Sequence, residues 1–66
     1  MLQQLAENIR ECLARAAKAR ERADSEADPQ RKADLLDLER RWLFLADSYQ
    51  FVEQLERFLL EGRRYL

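Results

Sequence analysis

The sequence has no histidine and no threonine, and it contains a single cysteine, a single glycine and a single proline. One cysteine, Cys12, excludes a disulfide within the chain, and without histidine one chain cannot assemble a zinc site of the usual kind. Ile9 and Val52 are the only β-branched residues, which is too few for a β-sheet. Alanine, leucine, glutamate and arginine, all strong helix formers, dominate what remains. The chain is therefore predicted to be a single small all-α domain over residues 1–66.

The same absences argue against catalysis. The candidate nucleophiles are Ser25, Ser48 and Cys12, and no histidine is available to act as their general base. Cys12 also lies on an apolar stripe, where a thiol behaves as a small hydrophobic side chain. We therefore expect no enzymatic activity and no cofactor.

Two carboxylates, Glu53 and Glu56, lie three residues apart on one helical face, so in a symmetric assembly they could converge on a metal ion. Carboxylate-bridged metal sites in helical bundles add histidines in Glu-x-x-His motifs, which this chain lacks. The favoured interpretation places both carboxylates at the open end of a helix pair, near Leu2 and Leu5, with Glu53 paired to Arg57. No metal is therefore predicted.

Charges of both signs are interspersed, and the formal net charge is −1, which gives no overall attraction to nucleic acid or anionic lipid. The longest wholly apolar run, Trp42 to Ala46, is far shorter than the ~20 residues that span a bilayer. The N-terminus lacks the basic segment and apolar run of a secretory signal. We expect a soluble, cytoplasmic protein that does not enter a membrane.

Asp28-Pro29 divides the chain into two amphipathic patterns. Proline disfavours helical backbone in the preceding residue, and an aspartate there can cap the next helix, with proline at its first position. The pattern predicts helices over about residues 2–26 and 29–61, folded as an antiparallel two-helix hairpin because the connection is short. Gly62 is expected to end the second helix as its C′ residue, with Arg63 and Arg64 near the last carbonyl groups.

Each predicted helix carries one apolar stripe that suits the other helix. Antiparallel packing places Trp42 opposite Ala16, and Leu38 near Ala19 and Ala23, so that large side chains meet small ones. The stripe of the first helix consists of Leu2, Leu5, Ile9, Cys12, Ala16, Ala19 and Ala23. That of the second consists of Leu35, Leu38, Trp42, Leu45 and Tyr49, with Ala46 beside it.

A second apolar face occupies the later half of the second helix, where the first helix cannot cover it. Since such an aromatic patch is unusual on a monomer, we expect self-association, most simply a homodimer that forms a four-helix bundle, with a higher oligomer as the alternative. Two alternatives are another protein bound at the Phe51/Phe58 side and a bent monomer covered by Tyr65 and Leu66. The predicted self-association interface consists of Phe44, Phe51, Leu55 and Phe58, flanked by Val52 and Leu59.

A local excess of basic residues suggests nucleic-acid binding as a competing function, because such patches neutralise phosphates. Acidic residues such as Glu11, Glu21 and Asp37 interleave with the basic ones, and no recognition-helix motif is present. A solvated face with internal ion pairs is therefore the favoured interpretation, and nucleic acid is not an expected partner. The candidate contacts are Arg15, Lys18 and Arg22 on the first helix and Arg40 and Arg41 on the second.

The segment from Ala27-Asp28-Pro29 onwards resembles a pattern in short uncharacterised bacterial helical-hairpin proteins. The resemblance covers about residues 9–49, implies a helical hairpin and carries no assigned activity or functional residue. The expected function is accordingly that of a small non-enzymatic structural or protein–protein interaction protein that self-associates. The matching residues are Cys12, Ala16 and Ala17, then Ala27-Asp28-Pro29, Arg31-Lys32, Leu35-Leu36, Leu38, Trp42-Leu43 and Leu45-Ala46.

Overall fold

The chain forms two helices that pack against each other as a hairpin, as the sequence predicts. The computed structural model describes the backbone of residues 2–63 and the side chains of residues 4–62. Helix α1 is Leu2–Asp24 and helix α2 is Pro29–Arg63. The two helices contact each other along a shared boundary that we call the seam. No helix in this described part of the chain is both long enough and apolar enough to cross a membrane.

The end of α1 is closed by hydrogen bonds from the residues just after it. The Ser25 hydroxyl donates to the carbonyl oxygens of Glu21 and Arg22, at 3.4 and 3.3 Å. The Glu26 amide donates to the Ala23 carbonyl at 3.2 Å. These bonds satisfy carbonyl groups that have no partner inside the helix, and α1 therefore ends at Asp24, two residues before the predicted boundary of 26.

The start of α2 has the predicted cap. An Asp28 carboxylate oxygen accepts the Arg31 amide at 2.9 Å, and the Asp28 carbonyl accepts the Lys32 amide at 2.9 Å as the first bond of the helix. Pro29 is the first helical residue, where its missing N–H would have no partner in any case. A carboxylate oxygen of Glu26 accepts the Asp28 amide at 3.1 Å, which ties the short connection together.

The predicted ending of α2 is wrong. Gly62 lies inside the helix, which continues to Arg63, and no glycine in the described residues has the positive φ of a C′ position. A Cβ added at Gly62 would meet nothing within 4 Å, so open space surrounds this turn and nothing forces the chain to leave the helix there. The roles predicted for the side chains of Arg63, Arg64, Tyr65 and Leu66 fall outside the described residues.

The seam between the helices is built mainly from small side chains. Trp42 and Leu38 line the same surface depression as Ala19, which agrees with the predicted meeting of large and small residues. An ion pair also crosses the seam, with an Arg20 nitrogen 3.7 Å from a Glu39 carboxylate oxygen. The buried apolar residues are Ile9, Cys12, Ala16, Ala19, Ala23 and Ala46.

The hairpin is a thin rod whose core is small for its surface. It measures 58 × 15 × 12 Å, and its radius of gyration is 16.2 Å, against about 11 Å for a compact domain of the same length. No large side chain among the described residues is fully buried. The two helices alone thus leave much of the apolar content of the chain in contact with water.

Candidate interaction surface

Three phenylalanines form a regular stripe along the outside of α2. Phe44, Phe51 and Phe58 are spaced seven residues apart, close to two helical turns, so they share one face. They are 74%, 65% and 70% exposed, which is extreme for aromatic side chains in a folded protein. Leu55 lies between Phe51 and Phe58 on the same side and is also exposed. We call these four residues the Phe face.

The Phe face points away from α1. Trp42 lies on the side of α2 that faces α1, with its ring 5.1 Å from the Arg15 guanidinium carbon. Phe51 follows Trp42 by nine residues, or two and a half turns, and therefore points in the opposite direction. A single helix cannot cover two opposite sides of its neighbour, so the Phe face remains open in the hairpin.

The two edges of the Phe face differ in chemistry. At 100° per residue, Val52 lies on the side of the face towards which Leu55 is displaced, and Gln54 lies on the other side. Each edge repeats every seven residues and is exposed along its length. We call them the apolar edge and the polar edge. The apolar edge consists of Leu45, Val52 and Leu59, and the polar edge consists of Arg40, Asp47, Gln54 and Glu61.

Leu38 and Leu45 lie at the border of the seam, where they line depressions with Ala19 and Cys12 respectively, and not inside it. Ala46 is 1% exposed, whereas Leu45, one residue away and about 100° around the helix, is 37% exposed. Leu38 is similarly open. The signal that sequence reasoning missed is a seven-residue repeat, which joins Leu38 and Leu45 to Val52 and Leu59 as one row.

The polar group closest to the middle of the Phe face has its own partner. Ser48 lies one turn after Phe44, and its hydroxyl donates to the Phe44 carbonyl at 3.0 Å. A serine that bonds back to its own helix leaves no unpaired donor when another surface covers it. The face can therefore be buried without stranding a hydroxyl group.

Glu53 and Glu56 lie on the α1 side of α2, at the open end of the hairpin. The Glu53 side chain is 19% exposed and its carboxylate is 3.8 Å from Arg57, the predicted pairing. Glu53 also borders a depression with Ala6 and Ile9 on α1. Across the described residues, no three potential metal-ligating side chains of the His, Cys, Asp and Glu types form a cluster.

Three of the basic residues of α1 gather on one side of the hairpin. Arg15, Lys18 and Arg22 line one open depression. Arg15 is also paired with Glu11 at 3.0 Å and lies over the Trp42 ring, so part of its charge is engaged within the hairpin.

The two basic residues of α2 lie differently with respect to this depression: Arg41 lies beside it, and Arg40 lies away from it. Arg41 pairs with Asp37 at 3.0 Å and shares a depression with Leu35 and Leu38. Arg40 precedes Trp42 by two residues, about 200° around the helix, so it points away from α1 on the polar edge. Structurally, the five predicted nucleic-acid contacts thus fall into at least two separate groups.

The candidate nucleophiles are engaged in the fold. Cys12 is buried in the seam, Ser25 donates to a carbonyl group at the end of α1, and Ser48 donates to a carbonyl group of α2. Neither the comparison with protein-family models nor those with curated proteins and solved structures finds a match. The most distinctive surface in the described residues is the Phe face.

Proposed function

We propose that this chain is a small non-enzymatic protein–protein interaction protein that associates with a second copy of itself through the Phe face. The observation that carries the proposal is the stripe of Phe44, Phe51 and Phe58, each about two-thirds or more exposed. A repeat of large apolar side chains every seven residues is the pattern by which helices pair along their length.

The exposed surface area of the hairpin is large enough for a stable contact with a second copy of the chain. The surface of the hairpin is 5697 Å², whereas a compact monomer of its mass would expose about 4,400 Å². The excess of about 1,300 Å² reflects the thin rod shape and leaves room for a contact of the ~800 Å² that each partner buries in a standard interface. The three phenylalanines alone leave on the order of 400 Å² of aromatic surface in water.

The thin core supports the same conclusion from the side of stability. Chains of this length are marginal without a disulfide, a metal or a partner chain. A single cysteine excludes an internal disulfide, and the seam is made mostly of alanine. Pairing through the Phe face supplies the large buried side chains that the hairpin lacks.

Sedimentation velocity of the wild type and of a Phe51→Glu, Phe58→Glu variant tests the proposal. The wild type should sediment at twice its chain mass of 7.9 kDa, and the variant as a monomer, because burying four carboxylates per dimer without partners is costly. A Gln4→Glu, Gln50→Glu variant adds the same charge at exposed polar positions outside the Phe face and its two edges, and it should remain a dimer.

Far-UV circular dichroism accompanies each measurement. Should the glutamate variant lose helix, Phe51→Ala with Phe58→Ala replaces it, since alanine removes the aromatic surface and favours helix. A wild type of monomer mass at every concentration would overturn the proposal, whether or not a different protein binds the Phe face. A dimer that persists after both sets of substitutions would show that the contact lies on another surface, and it would overturn the proposed interface.

A further inference from the structure

We infer that the two copies pair through α2 in antiparallel orientation, with Phe51 near the two-fold axis. This inference rests on the proposed self-association and specifies its geometry. It follows from the unequal edges of the Phe face and from the spacing of the phenylalanines about Phe51.

The edges decide the orientation. When two helices pair in parallel, a two-fold axis along the helices brings the left edge of one face against the right edge of the other. In antiparallel pairing, the axis is perpendicular to the helices and each edge meets its own counterpart. The choice is therefore between unlike edges in contact and like edges in contact.

Only the antiparallel choice matches the chemistry of the edges. Parallel pairing would press charged Asp47 against aliphatic residues such as Val52 and leave the carboxylate without a partner at a contact that excludes water. Antiparallel pairing places the apolar edge on the apolar edge, which buries both. It also keeps the two polar edges together at the rim, where their groups stay hydrated and can pair.

The spacing sets the register. Phe44 and Phe58 each lie seven residues from Phe51, so an axis at Phe51 brings Phe44 level with Phe58 of the second copy. In the same register Arg40 comes within one residue of the level of Glu61 of the second copy, which juxtaposes opposite charges. The neighbouring pair on the polar edge is Asp47 with Gln54, which can hydrogen bond.

The overall arrangement follows from the opposite directions of the seam and the Phe face. Each α2 lies between its own α1 and the second α2. The four helices therefore lie side by side in a row with both α1 helices on the outside, and not in the four-helix bundle expected from the sequence. Pro29 is 22 residues from Phe51, so the two turns lie at opposite ends, about 66 Å apart by the helix rise.

Cysteine cross-linking tests this geometry on the full chain. A Cys12→Ala background removes the one native thiol, which is buried in the seam. Phe44→Cys and Phe58→Cys variants are treated with a short bifunctional maleimide, first separately and then as a mixture equilibrated before cross-linking. Residue 51 of one copy lies level with residue 51 of the other in both orientations. A Phe51→Cys variant therefore reports whether the Phe faces meet at all.

The antiparallel arrangement predicts a 51–51 link in the Phe51→Cys variant and a 44–58 link only in the mixture, identified by peptide mass mapping. The separate Phe44→Cys and Phe58→Cys samples should give no dimer, because equivalent positions would lie 14 residues, or about 21 Å, apart along the helix. Links of 44–44 and 58–58 would overturn the inference and leave self-association intact. A sedimenting dimer without the 51–51 link would also overturn it, whereas a monomer would overturn the proposed function itself.

Discussion

Asp28 fixes the start of α2 through one short-range interaction. Its carboxylate accepts the Arg31 amide at 2.9 Å, three residues ahead, and Pro29 holds the first turn in a helical conformation. The partners of a cap lie within three residues, so the local sequence is enough to predict it. Gly62 shows the opposite case, because nothing within its own turn determines whether the chain leaves the helix there or continues.

Asp28→Ala should lower the free energy of unfolding by about 1 kcal/mol, because the first turn of α2 loses a capping acceptor. Urea denaturation followed by circular dichroism at 222 nm measures the change, with all variants at one protein concentration. Asp28→Ser is the matched control, since serine also caps, and it should stay close to the wild type. Equal stability of the alanine and serine variants would contradict the role of the Asp28 carboxylate.

At the scale of the helices, the packing of α1 against α2 depends on how small its seam residues are. Ala16, Ala19 and Ala23 are almost completely buried, and their size allows close approach of α2. The sequence predicts this part well, because the alanines recur at helical spacing and Trp42 occupies the matching position on α2. The sequence does not place Leu38 and Leu45 as well. If the seam is centred on the next residue of α2, its direction rotates by 100° around the helix.

Ala16→Leu should destabilise the hairpin by about 1–3 kcal/mol, because the added atoms have no space in the seam and force the helices apart. Ala17→Leu adds the same atoms one residue later at an exposed position and should stay within about 0.5 kcal/mol of the wild type. Thermal and urea unfolding of both variants give the comparison. Similar stabilities for the two would show that Ala16 is not closely packed in solution.

For the molecule as a whole, sequence reasoning recognises the second apolar face but cannot place what covers it. Phe44, Phe51 and Phe58 are recognised by residue type and spacing alone, whereas the surface proposed to cover them belongs to a second chain that the single sequence does not describe. The structure adds the direction of the face, opposite the seam, and the difference between its edges. Those two features turn a general expectation of association into one specified arrangement.

The proposed arrangement predicts that stability depends on protein concentration, because dilution favours separate chains and unfolding then follows. For a dimer of two 66-residue chains, typical unfolding enthalpies give a rise in Tm of about 5 °C for each tenfold increase in concentration. Scanning calorimetry or circular dichroism over a hundredfold range of concentration measures this slope. The Phe51→Glu, Phe58→Glu variant should melt at one temperature throughout, because its chains unfold independently. A wild type whose Tm is equally independent of concentration would mean that the hairpin is stable by itself, and the exposed phenylalanines would then contribute nothing to the folded state.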